Sequence, residues 1–169
     1  MVKHVSNYSK AQIALHWVVV LGVIFQIAFH EFIVEAMQVF ERGESVGTLG
    51  TVMAYAHVAS GSLIFLAVVT RIVLRIRRGV PDHAPGTPAL AARLSSLMHN
   101  GLYAVLLAMV VTGGMTFNAV ADLGRVHWAL NIALVVMIAG HVAAALWNQY
   151  VRKDGTLTRM IPALNKFGS

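Results

Sequence analysis

Four long stretches of the chain, residues 11–30, 45–70, 94–121 and 126–151, contain no Asp, Glu, Lys or Arg. Each is as long as the roughly 20 apolar residues that a bilayer-crossing helix needs. Only helices and closed barrels satisfy their backbone within lipid, and these stretches are too long and too evenly apolar for the alternating strands of a barrel. The pattern therefore predicts an all-α membrane protein, a four-transmembrane-helix bundle. Its helices should cover about 11–33, 48–76, 94–119 and 126–150 of one domain spanning 1–169. Between the first two, Phe32, Ile33, Ala36, Met37 and Phe40 fall at helical spacing with Glu31, Glu35 and Glu41 interleaved. This segment reads as a helical extension, an interfacial turn or a solvated loop on the outer side. Three of the four prolines lie in "RRGVPDHAPGTPAL", the one linker-like connection.

Composition agrees, with 57% apolar and 12% charged residues, against about a quarter charged in an average soluble domain. The first apolar run is longer than a signal-peptide core and no small-residue cleavage site follows it, so a retained helix is expected. Charge then orients the bundle. The two ends and the middle connection hold eleven basic residues (Lys3, Lys10, Arg71, Arg75, Arg77, Arg78, Arg93, Arg152, Lys153, Arg159 and Lys166) against Asp82 and Asp154, a balance of +9. The other two connections hold Arg42 and Arg125 against Glu31, Glu35, Glu41, Glu44 and Asp122, a balance of −3. By the positive-inside rule both termini are cytoplasmic, and an even number of crossings fits that. The basic excess is thus explained by an anionic inner leaflet and not by nucleic acid.

Against this apolar background the histidines stand out. Of eight, His16, His30, His57, His99, His127 and His141 lie within or at the lips of the uncharged stretches, while His4 and His83 lie on the basic side. Ionisable groups at membrane depth are costly, and six in one small bundle exceed what interhelical hydrogen bonding explains. Depth places His16, His99 and His141 toward the cytoplasm, and His30, His57 and His127 toward the outer face. His127 and His141 are fourteen residues apart. Fourteen residues make nearly four turns and a rise of about 21 Å, so both imidazoles leave one face of the helix at two depths. Such pairs suit two haems stacked in a bundle, each held between helices. A zinc cluster needs three or four ligands at one depth, and a transporter would favour an acid at the midplane, where the sequence has none. Cysteine is absent, which removes covalent C-x-x-C-H haem attachment and thiolate-held clusters. Bis-histidine, non-covalent haem is the chemistry left. Arg71, fourteen residues after His57 on the same face, could pair with a haem propionate or snorkel to headgroups. Gly61, Gly113, Gly114 and Gly140 neighbour these histidines, but packing of membrane helices explains glycine equally well.

The stretches "YSKAQIALHW", "AHVASG", "RIVLR", "MHNGLYAVLL", "GHVAAALWNQY" and "KDGTLTRMIP" run in order over nearly the whole chain. As a set they resemble the bacterial cytochrome b561 family of four-helix dihaem membrane proteins. That resemblance implies two b-type haems, with His16 and His141 as ligands of the cytoplasmic one and His57 and His127 as ligands of the outer one. His99 matches a family histidine beside the inner haem, at a quinone or propionate contact. It further implies electron transfer across the bacterial inner membrane between a periplasmic-side donor and ubiquinone. In one branch of the family the donor is superoxide, making such a protein an oxidoreductase. The alternative is an electron-transfer cytochrome serving as membrane anchor and conduit for a separate dehydrogenase or other respiratory partner. The negative outer connections depart from what superoxide capture asks for, because an anion is steered by positive potential.

Overall fold

The computed structural model describes residues 4–5, 7–44 and 47–166; Lys3 and the start of the second uncharged stretch lie outside them. The chain forms β1 (His4–Val5), α1 (Lys10–Ala28), α2 (His30–Glu41), α3 (Gly47–Arg78), β2 (Val80–Pro81), α4 (Ala89–Phe117) and α5 (Gly124–Tyr150). Two short 3₁₀ turns, Leu157–Arg159 and Pro162–Lys166, follow. Four of the helices, α1, α3, α4 and α5, are long and apolar enough to cross a membrane. Their outward faces are as apolar as their inward ones: Leu21 is 63% exposed, Leu66 62% and Val136 66%. A helix apolar all round is what lipid accepts and water does not.

The first crossing is shorter than the expected span to residue 33. At Phe29 the backbone leaves helical values (φ −106°, ψ 15°), and α2 starts afresh at His30. The break lets the amphipathic α2 fold against α3, burying Ile33 and Ala36 to 3% exposure each. Of the readings left open for this segment, the helical one holds.

The closest helix packings are α1 on α3, α4 on α5, α2 on α3 and α3 on α4. Where the crossings meet, Val23, Ile64, Val68, Leu106 and Leu134 form the buried core, with Val68 fully inaccessible. Four of these stand seven residues beyond His16, His57, His99 and His127, and Leu134 is also seven before His141. Seven residues rise about 10.5 Å. The core is therefore an apolar layer halfway between the two histidine depths.

One end of the bundle is tied off by polar contacts. Ser9 and Gln12 form a capping box on α1: the Ser9 hydroxyl accepts from the Gln12 amide at 3.2 Å, and the Gln12 side chain accepts from the Ser9 amide at 2.9 Å. The same Gln12 donates a buried bond from Nε2 to the Gly79 carbonyl at 3.0 Å, just where α3 ends at a glycine with φ +88°. Only the left-handed region gives this exit, and glycine enters it without strain. β1 then pairs in parallel with β2, His4 opposite Val80 and Val5 opposite Pro81. From the tail, the Met160 carbonyl accepts from Trp17 Nε1 at 3.0 Å and Arg159 donates to the Asp82 carbonyl at 2.7 Å. The N-terminal segment, the α3–α4 connection and the C-terminal segment thus occupy the same end of the molecule.

Candidate haem sites

The histidines gather into two groups, one on each side of the apolar layer. In the group near α2, His57 of α3 and His127 of α5 face one another with ring centroids 6.3 Å apart and planes at 65°. His30, at the start of α2, is within electrostatic reach of both. His127 is held by α4. Its Nδ1 lies 2.9 Å from the Met109 carbonyl and 3.2 Å from Thr112 Oγ1. A carbonyl can only accept, so Nδ1 carries the proton and a neutral ring keeps a free lone pair on Nε2. Gly113 makes this approach possible: a Cβ there would sit 2.9 Å from His127 Cε1. His57 is held through its backbone, its carbonyl accepting from Gln26 Nε2 at 3.0 Å while the same amide donates to Ser60 Oγ at 2.9 Å. Its Nδ1 is buried without a hydrogen-bond partner among the described residues.

In the group at the tied end, His99 of α4 packs edge-on against His141 of α5, centroids 5.1 Å apart and planes at 85°. His99 Nδ1 donates to the Ser95 carbonyl at 2.7 Å, which by the same reasoning leaves its Nε2 unprotonated. His16 of α1 has its ring edge-on to Trp17 at 5.7 Å and is within electrostatic reach of Arg71, His141 and His99. Arg71 donates from Nη1 to the Gln12 carbonyl at 2.8 Å, with its guanidinium 6.0 Å from the centre of the Tyr103 ring. No carboxylate among the described residues pairs with it. Just outside the crossing, Tyr8 is buried beside Arg75, Tyr103, Arg71 and Arg159; burial raises its phenol above the ordinary value, with the arginines pulling the other way.

All six histidines singled out from the sequence thus fall into the two groups, with Arg71 in the second. The inner contact pair is His99 with His141, so that three imidazoles share this level. Sequence reasoning passed over Gln26, Thr112, the Met109 carbonyl and Tyr8. Gln26 stands within the first apolar stretch as Gln12 does, and neither was singled out. Among the described residues no three His, Asp or Glu side chains are gathered so that they could hold a metal ion. Two imidazoles alone suit a metal whose other positions are filled by a macrocycle.

Membrane-crossing helices that carry opposed histidines at two depths, in a chain without cysteine, define a class: helical membrane cytochromes with non-covalent haem. The chain belongs to the prokaryotic cytochrome b561 family, whose model matches residues 7–163, and this makes it a membrane b-type cytochrome. It is 30% identical to cytochrome b561 homolog 1 of Escherichia coli (strain K12), over 93% of this chain and 98% of that one. Cytochrome b562 of Cereibacter sphaeroides is 29% identical, over 92% of this chain and 95% of its own length. A probable superoxide oxidase CybB of Yersinia pestis is 27% identical, over 92% of this chain and 96% of its own.

The outer pair fits b-type haem in its chemistry. Two imidazoles from different helices stand 6.3 Å apart, the missing side chain at Gly113 leaves the His127 ring its place, and His127 keeps a free lone pair on Nε2. At the inner level His99 and His141 lie 5.1 Å apart, and His16 is the remaining imidazole there.

Proposed function

We propose that the protein is a dihaem cytochrome that moves electrons across the bacterial inner membrane, between a donor at the outer face and ubiquinone at the cytoplasmic face. The observation that carries this reading is the placing of paired histidines on both sides of a buried apolar layer. Haem supplies one-electron redox chemistry; the chain supplies position, burial and charge. His57 and His127 hold the outer group from opposite helices, and His16 and His141 hold the inner one. The layer of Val23, Ile64, Val68, Leu106 and Leu134 sets only apolar side chains between the two levels. Arg71, without a carboxylate partner among the described residues, matches a propionate. His99, whose Nε2 is an acceptor, stands where it can take a proton or hydrogen bond from a quinol. The basic tied end is the cytoplasmic one, with both termini inside.

The donor is read from the outer face. Among the described residues Arg42 is paired with Glu44 at 3.3 Å, and Arg125 is the other outer-face arginine that would attract superoxide. A net negative face favours a positively charged redox partner over a small anion. The conduit for a separate dehydrogenase or other periplasmic protein therefore stands beside the superoxide reading suggested by the Yersinia relative's name. Purified protein should show a reduced-minus-oxidised b-type spectrum with two haems per chain. His16→Ala, His57→Ala, His127→Ala and His141→Ala should each lose one haem, whereas His30→Ala keeps both. A chain without b-type haem would overturn the reading. Stopped-flow mixing with superoxide, with and without ubiquinone, separates the donors: haem reduction followed by quinone-dependent reoxidation supports superoxide, and a silent haem supports the protein partner.

A further inference from the structure

We infer that Thr112, together with the Met109 carbonyl, is a positioning device that fixes the ring orientation, tautomer and donor strength of His127, making the two outer imidazoles unequal. This rests on the reading of His57 and His127 as the outer haem ligands. The device is local to "MVVTGG", residues 109–114. Thr112 Oγ1 donates back to the Ala108 carbonyl at 2.8 Å, which commits its proton and leaves its lone pairs to face His127 Nδ1 at 3.2 Å. The Met109 carbonyl presents a second acceptor at 2.9 Å. Gly113 keeps the ring's path to both open, since a Cβ would also lie 3.1 Å from Nδ1. The Nδ1 proton is thus shared between two acceptors on one helix turn, and the ring can neither rotate nor change tautomer without losing both.

His57 has no counterpart: its Nδ1 is buried and unpartnered among the described residues. An imidazole that donates from Nδ1 is the more basic, stronger donor at Nε2, and metal-site partners of this kind tune affinity and potential. His127 therefore stabilises the oxidised state more than His57 does. Thr112 sets part of the outer potential without touching the haem iron.

Thr112→Val keeps the shape and removes the acceptor. It should raise the midpoint potential of the outer haem, leave the inner one unmoved and shift the outer low-spin electron paramagnetic resonance signal, and Thr112→Ser should restore both. Unchanged potentials and signal in Thr112→Val would overturn the inference, as would a change that Thr112→Ser fails to rescue. A second measurement needs neither variant nor haem. In haem-free protein, ¹⁵N shifts should show His127 protonated at Nδ1 and bare at Nε2; the opposite tautomer overturns the inference. Those shifts are independent of the haem spectrum that tests the functional reading, so the two can fail separately.

Discussion

At Gly113 the helix carries two adjacent glycines with opposite expectations. A methyl at Gly113 would meet His127 at 2.9 Å, whereas nothing lies within 4 Å of a methyl at Gly114. Gly113→Ala should displace the imidazole and cost about 1–3 kcal/mol, the usual range for overpacking; haem quantification should find the outer haem depleted and the inner one kept. Gly114→Ala should bind both. The second residue-scale prediction concerns Tyr8, whose phenol burial raises above the ordinary value of about 10. As pH passes 10 the unfolded chain releases this proton before the folded one does. The unfolded state then binds fewer protons, and stability falls with rising pH. Below pH 10 the group contributes its full share; above it that share is lost. Thermal melts from pH 9 to 11 should fall less steeply in Tyr8→Phe than in the parent. The histidines were legible in the sequence because an ionisable group in an apolar stretch is costly wherever it sits. Thr112 and Gln26 were not, since a hydroxyl or amide in a membrane helix usually bonds its own backbone. Only the packing of α4 on α5 and of α1 on α3 shows that these two also reach a histidine.

Among the elements, α1 and α3 are joined at the tied end by two side chains, Arg71 donating from α3 to the Gln12 carbonyl and Gln12 reaching past the end of α3. Gln12 closes the capping box of α1 and donates to the Gly79 carbonyl that follows α3. Gln12→Leu should therefore lose a cap contact and strand a buried carbonyl. The cost should be about 2 kcal/mol, from roughly 1 for the cap and 1 or more for the orphaned acceptor. It should read out as a lower melting temperature in detergent, with little change in the outer haem, which lies beyond the apolar layer. Ser9 and Gln12 have capping-box spacing, which sequence reasoning passed over, and the second use of Gln12 leaves no local mark, because Gly79 is 67 residues away. Apolar runs gave the crossings in number and approximate extent. They misplaced the end of the first, since the turn at Phe29 contains neither proline nor glycine. What breaks the helix there is the gain from laying Ile33 and Ala36 on α3, a tertiary term that no local pattern announces.

For the molecule as a whole, the sequence and the structure supply different halves of the topology. The bonds of Gln12 to Gly79, Trp17 to Met160 and Arg159 to Asp82, with the pairing of β1 and β2, bring both terminal segments and the α3–α4 connection to one end. They do not say which side of the membrane that end faces. The proposed orientation rests on charge: the basic end carries the +9 balance and the opposite connections the −3, and the bias of Lys and Arg sets orientation in short loops. A C-terminal green fluorescent protein fusion should therefore fluoresce in bacterial cells, and a C-terminal alkaline phosphatase fusion should be inactive. Fusions after Gly43, between α2 and α3, should show the reverse. A fluorescent reporter after Gly43 would invert the bundle and move His57 and His127 to the cytoplasmic side. Quinone exchange and donor exchange would then trade places, while the two histidine levels and the apolar layer between them would be unaltered.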